Sequence, residues 1–242
     1  NTTGANNTAV GLQALLDNTT GSNNVATGMD ALANNTTGTE NVSVGANSML
    51  ANTTGSYNTS VGYNALDANT TANNGTAVGR AALTTNTTGA NNTAIGMSAL
   101  EGNTTGSESC AVGYRALTTQ TGAGEVNNAL GADALRLTTT GQANNAMGHS
   151  ALENNTTASY NTAIGHRSMT SNSTGATNTA IGAYALQANT TASENTAVGD
   201  YALSANTTGT GNCALGRQAL NNNTTASNNT GMGLYALYAN TT

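Results

Sequence analysis

The stretch Asn1-Thr2-Thr3-Gly4-Ala5-Asn6-Asn7-Thr8-Ala9-Val10-Gly11-Leu12-Gln13-Ala14-Leu15-Leu16-Asp17 decides the fold, because at Asn18 the chain begins it again. The consensus N-T-T-G-x-x-N-T-A-V-G-x-x-A-L-x-x recurs every 17 residues. Units open at positions 1, 18, 35, 52, 69, 86, 103, 120, 138, 155, 172, 189, 206 and 223. One unit departs from this length: Gln120–Leu137 has 18 residues and lacks the Asn-Thr-Thr opening. Close copies stacked in one chain give each residue an equivalent environment in every layer, which is the signature of a solenoid. The whole of 1–242 is therefore expected to be a single repeat domain, and a fragment of a longer fibre.

Position 11 is glycine in every copy: Gly11, Gly28, Gly45, Gly62, Gly79, Gly96, Gly113, Gly131, Gly148, Gly165, Gly182, Gly199, Gly216 and Gly233. Glycine reaches backbone angles that other residues avoid, so these positions are read as structural turns. Asn7-Thr8-Ala9-Val10, short and β-branched at alternate residues, reads as a strand. Leu12–Leu15 is read as a second short strand, since the space between two turns is too small for an independent helix, with a single helical turn held by stacking as the alternative. The expected fold is all-β, a parallel β-solenoid or β-roll of about fourteen 17-residue coils. At the ~4.8 Å strand spacing such a rod is about 65–70 Å long. Alternation along strands assigns Val10 and Leu15 to the interior, and Ala9 and Ala14 to flat outward columns that a homotrimer would bury. Asparagines at positions 1 and 7 would form ladders.

Composition narrows the function classes. The chain has no Trp, Phe, Pro or Lys, only 7% charged residues and a net charge of −6. A nucleic-acid partner would require a basic stripe, and no apolar run reaches the ~20 residues of a membrane span. Hence neither nucleic acid nor membrane insertion is expected.

Units such as Asn161-Thr162-Ala163-Ile164-Gly165 and Asn178-Thr179-Ala180-Ile181-Gly182 resemble the head repeats of trimeric autotransporter adhesins, whose own repeat is shorter. The Asn-Thr-Thr-Gly insertion resembles arrays in tail-fibre-like proteins of phages, giant viruses and bacteria. The resemblance covers essentially the whole chain. It implies a homotrimeric fibre that is extracellular, on a cell surface or on a virion, with a host-surface glycan or protein as partner.

No enzyme is expected, and no cofactor. The acids Asp17, Asp30, Glu40, Asp67, Glu101, Glu108, Glu125, Asp133, Glu153, Glu194 and Asp200 are scattered over the repeat, whereas paired catalytic carboxylates need a fixed separation across a cleft. His149 and His166 occupy position 12 of successive units; they are a weak candidate metal pair, with a solvated pair as the default. Cys110 and Cys213 share position 8. Six coils, or ~29 Å, would separate them, too far for a disulfide within one chain. They are expected to be buried free thiols, with cross-chain pairing as the alternative.

Asn1, Asn18, Asn35, Asn52, Asn69, Asn86, Asn103, Asn155, Asn172, Asn189, Asn206 and Asn223 open N-glycosylation sequons, the alternative being simple turn asparagines. The paired Thr2 and Thr3 ranks raise an ice-binding alternative. Tyrosines, with Tyr184 and Tyr201 one coil apart, raise a carbohydrate-binding one. The leading expectation is a structural fibre segment that displays an adhesive surface.

Overall fold

The computed structural model describes residues 1–122 and 126–241. The protein is all-β, and its strands are three residues long and parallel. It divides into two compact units, Asn1–Val126 and Asn127–Thr242, and the boundary falls within the 18-residue repeat. Unit 1 carries β1 (Thr8–Val10), β2 (Val25–Thr27), β3 (Val42–Val44), β4 (Thr59–Val61), β5 (Thr76–Val78), β6 (Thr93–Ile95) and β7 (Cys110–Val112). Unit 2 carries β8 (Asn128–Leu130), β9 (Asn145–Met147), β10 (Thr162–Ile164), β11 (Thr179–Ile181), β12 (Thr196–Val198), β13 (Cys213–Leu215) and β14 (Thr230–Met232).

Within each unit consecutive strands pair in order, with every residue opposite its equivalent in the next repeat. Thr76 thus faces Thr93, Ala77 faces Ala94 and Val78 faces Ile95. Each unit is therefore a parallel β-solenoid, as the period requires.

The second strand is absent. Residues 12–17 of each coil instead form a run of overlapping turns, with φ positive at positions 13 and 15, as at Gln13 (57°) and Leu15 (53°). Local bonds close the turns: Ala14 N donates to Gly11 O, Leu16 N to Gln13 O and Asn18 N to Leu15 O. The alternate amides run along the axis, Leu15 N to Ala31 O and Asp17 N to Ala33 O. The left-handed region costs a residue such as leucine about 1–2 kcal/mol. Complete burial of the side chain returns about 1.5–3 kcal/mol, and the axial hydrogen bond adds to that.

This geometry corrects the expected inside and outside. Strand alternation does not govern positions 14 and 15, and both point inward: Ala99, Leu100, Ala185 and Leu186 are fully buried. Within the strand, alternation holds but with the opposite phase. Ala77, Ala94, Ala163 and Ala180 are buried, whereas Val61, Ile95, Ile164 and Ile181 are exposed. The Ala9 column abuts the leucines; a Cβ added at Gly231, a member of that column, would lie 3.1 Å from Leu220 Cγ. A 17-residue coil holding a leucine column has room opposite it for small side chains only, alanine in most coils and serine at Ser43 and Ser60.

Polar ladders flank this core. Asn35 Nδ2 donates to Asn18 Oδ1 (2.8 Å), and Asn52 Nδ2 donates to Asn35 Oδ1 (2.8 Å). The position-7 asparagines form a second ladder, in which Asn41 N and Nδ2 both donate to Asn24 Oδ1. The ladders converge on the position-4 carbonyl: Gly38 O accepts from Asn35 Nδ2 (3.0 Å) and Asn24 Nδ2 (2.8 Å). Buried polar groups are tolerated when fully paired, and these amides are.

Serine at position 14 gives a local test. Ser48 Oγ pairs with Ser60 Oγ at 2.7 Å, whereas the buried Ser168 Oγ has no partner. Replacing Ser168 by Ala is expected to raise unfolding stability by about 1 kcal/mol, and Ser48→Ala to lower it by a similar amount. Urea titration of the two variants reads both signs.

Candidate functional surfaces

With the core accounted for, two surfaces of the coil remain to be built from their residues. The first is the outward side of the strands, where positions 8 and 10 project. Position 10 supplies Val44, Val61, Val78, Ile95 and Val112 in unit 1, and Leu130, Met147, Ile164, Ile181, Val198 and Leu215 in unit 2. Ile95 is 40% exposed, a high value for an isoleucine inside an ordered array. Position 8 runs beside it, mostly as Thr, with Cys110 and Cys213 included. No charged residue occupies either position in any repeat. The two cysteines are free and half-exposed on this face. This corrects the expected burial, because position 8 shares the outward phase of position 10.

The second surface is the corner at positions 12 and 13, immediately after the invariant glycine. It holds Arg80, Arg115, Arg167 and Arg217, both histidines, and five of the eight tyrosines (Tyr63, Tyr114, Tyr184, Tyr201 and Tyr235). In unit 1, Arg115 sits over its neighbour Tyr114, 5.5 Å from the ring centroid. In unit 2 four rings from successive coils form a column. His149 stacks on His166 (5.3 Å between centroids), His166 meets Tyr184 edge-on (5.3 Å), and Tyr184 stacks on Tyr201 (4.7 Å).

Ion pairs border this column. Arg136 Nη2 donates to Glu153 Oε1 at 2.7 Å, and Arg217 lies 3.5 Å from Asp200. Burial alone would push the Glu153 carboxyl up, but hydrogen bonds from Arg136 and Ser150, with the charges of Arg136 and His149, outweigh it and hold Glu153 below its usual range. Asp67 shows the opposite balance, its carboxyl pushed up by burial.

The other expected sites fall as follows. Asn35, Asn52, Asn69, Asn86 and Asn103, like Asn155, Asn172, Asn189, Asn206 and Asn223, lie inside the coil; Asn18 is all but buried and Asn1 is exposed. From Asn18 onward each Nδ2, the atom a glycan would modify, is hydrogen-bonded in the ladder. The glycosylation reading is thereby corrected for these interior positions, since a glycan on Nδ2 is incompatible with a closed coil.

The Thr2 and Thr3 ranks lie in the turn, and position-2 hydroxyls donate to the carbonyl of the next coil, as Thr53 Oγ1 does to Thr70 O (3.0 Å). Thus that rank organises backbone rather than solvent. His149 and His166 are brought together, but no group of three or more metal-ligating side chains occurs among the described residues. Tyr184 and Tyr201 also meet, and stacking covers one face of each ring. The glycines at position 11 have φ near 135° (Gly11, Gly165). Glu125 lies outside the described residues. No described helix is long and apolar enough to cross a membrane.

Comparison with protein-family models, with curated proteins and with solved structures found no match. The class rests on the fold alone: the chain is a parallel β-solenoid protein.

Sequence reasoning missed the corner as a unit. The signal was present, because positions 12 and 13 vary widely in chemistry while positions 11, 14 and 15 on either side hardly vary.

Proposed function

We propose that the chain is a structural segment of an extracellular, cell-surface or virion fibre, in which copies of the chain pack side by side through the outward face of their strands. The observation that carries this reading is the exposed aliphatic column at position 10, with its uncharged neighbour at position 8. Large contiguous apolar patches on protein surfaces mark sites of association. The face repeats at the strand spacing, so the partner that matches it layer for layer is another copy of the chain. Three copies about one axis would bury it, and in this reading the trimer contact lies on position 10 rather than on the alanine columns. Display of an adhesive surface toward a host glycan or protein belongs to the same reading.

Sedimentation velocity and equilibrium test it. The expected species has the mass of three chains, and Ile95→Glu with Ile181→Glu is expected to reduce it to a folded monomer, because the column lies outside the core. A monomeric parent chain would overturn the reading. The native cysteines report alignment under mild oxidant, since parallel copies in register cross-link Cys110 to Cys110 and Cys213 to Cys213.

A second reading is favoured by a different detail of the same face. Outward threonines recur on consecutive parallel strands, Thr59, Thr76 and Thr93, then Thr162, Thr179 and Thr196. A flat, regular threonine rank suits the ordering of surface water, so the ice-binding alternative moves from Thr2 and Thr3 to position 8. Thermal hysteresis of a monomeric form would promote it.

A further inference from the structure

The outward face of the strands is nearly uniform along the axis, and copies packed through a uniform face have no reason to align. In unit 2, Thr162, Thr179 and Thr196 stand opposite one another at position 8 of β10, β11 and β12, beside Ile164, Ile181 and Val198 at position 10. A partner displaced by one coil meets almost the same side chains. A sequence must specify against such slips, or several alignments coexist.

One place breaks the pattern. Position 8 is Thr, Val or Cys in every repeat except two adjacent ones, which carry Asn128 in β8 and Asn145 in β9. Asparagine is depleted in strands, whereas threonine and valine are enriched. Local preference therefore does not explain the exception, and departures of this kind concentrate at functional positions. Both side chains are exposed, and Asn128 lies opposite Asn145 in the parallel register. Asn128 Nδ2 donates to Asn145 Oδ1 at 3.0 Å. That bond leaves Asn128 Oδ1 and Asn145 Nδ2 without a partner among the described residues. Beside them Leu130 and Met147 are 45% and 49% exposed, against 37% and 38% for Ile164 and Ile181 in the next two strands. The pair thus sits where the face offers a packed copy the larger contact.

We propose that Asn128 and Asn145 fix the axial register of the assembly by pairing with the same two residues of neighbouring copies. This rests on the fibre reading, in which the strand faces of parallel copies meet. An amide group carries both donor and acceptor, so it is complementary to its own kind, and aligned copies satisfy the open N–H and C=O groups across the contact. A copy displaced by one coil toward β10 sets one asparagine against Thr162. Displacement by two coils sets both against Thr162 and Thr179, whose shorter side chains leave the amides unmet. Burying an amide without partners costs more than its hydrogen bond adds when made. A single asparagine in an otherwise apolar seam fixes the register of coiled coils by the same asymmetry.

The test moves the pair three coils along unit 2, combining Asn128→Thr and Asn145→Thr with Thr179→Asn and Thr196→Asn. Every substitution installs a residue that position 8 already holds elsewhere, and melting temperature and sedimentation verify that the variant folds and assembles alone. Parent and variant are then co-expressed, one carrying a mass tag, and their trimers are sorted by native mass spectrometry. Random mixing of three copies gives roughly three-quarters mixed trimers, the share expected when tagged and untagged parent are co-expressed. Parent with variant is expected to give fewer than roughly one mixed trimer in ten. A mixed trimer at full overlap buries asparagines against threonines, and one that aligns them forfeits three coils of contact. Should the shifted variant fail to assemble, Asn128→Thr with Asn145→Thr alone is expected to show the same depletion against the parent. Random mixing with the parent overturns the proposal and leaves the fibre reading standing. A monomeric parent overturns both.

Discussion

Gly148→Ala will be strongly damaging to unit 2, with an expected loss of at least ~4 kcal/mol in unfolding free energy. Two effects combine. The backbone at Gly148 has φ of 133°, a region essentially closed to residues with a Cβ. The new carbon would also lie 2.5 Å from Gly165 O and 2.7 Å from Gly165 C, so the next coil must lift away along the axis. Gly233→Ala separates the two effects, because a Cβ there meets nothing within 4 Å although φ is 118°. That variant is expected to lose only the strain, about 1–3 kcal/mol. Chemical denaturation of both variants measures the difference, and equal losses would show that the coils do not pack as closely as described.

The second large effect is expected at Asn41. Its Nδ2 donates to Gly55 O (2.9 Å) and Asn24 Oδ1 (3.1 Å), while its Oδ1 accepts from both Asn58 N (3.0 Å) and Asn58 Nδ2 (3.2 Å). Truncation to alanine leaves Asn58 N–H buried without an acceptor. The Gly55 carbonyl retains Asn52 Nδ2 and Asn58 Nδ2 retains Ala72 O, so the damage is bounded. A loss of about 3 kcal/mol is expected. Asn41→Asp is expected to be worse, since a carboxylate oxygen would then oppose Gly55 O inside the coil. Asn47, whose part-buried amide makes one bond to Asn64, supplies the control, and its alanine variant is expected to lose no more than about 1 kcal/mol, mostly because asparagine tolerates the φ of 54° there better than alanine does. Should Asn41 and Asn47 behave alike, the interior ladder would have no special energetic weight.

These two predictions also mark what could be read without coordinates. The invariant glycine at position 11 announced a turn, and asparagine at positions 1 and 7 announced stacked amides. The coil length and parallel order followed from the period. The orientation of Leu12–Leu15 was not legible, because a leucine with φ near +53° violates its own preference, and only the axial bond and the buried column make it stable. The phase of Thr8-Ala9-Val10 was misread for a related reason. Hydrophobicity placed valine inside, but the space opposite a leucine column is filled by small side chains, alanine in most coils and serine at Ser43 and Ser60. The fibre face was consequently assigned to the wrong columns. Of the chemically rich corner only the pairs His149–His166 and Tyr184–Tyr201 were legible, because each coil contributes different residues and the full column emerges only once equivalent positions are stacked.

The direction of the hydrogen bonds has a mechanical consequence. In each unit the strand bonds, the amides of positions 15 and 17 and the asparagine ladders all run along the axis, joining one coil to the next. Under tension along that axis the layers are springs in series, and each carries the full load. Extension then proceeds by peeling, one layer at a time, and each release frees about 17 residues, or close to 55–60 Å of extended chain. A segment built this way yields in small, equal steps and dissipates work at each one. Its breaking force is set by a single coil however many are stacked, while the number of coils sets how far it can pay out before it is fully drawn.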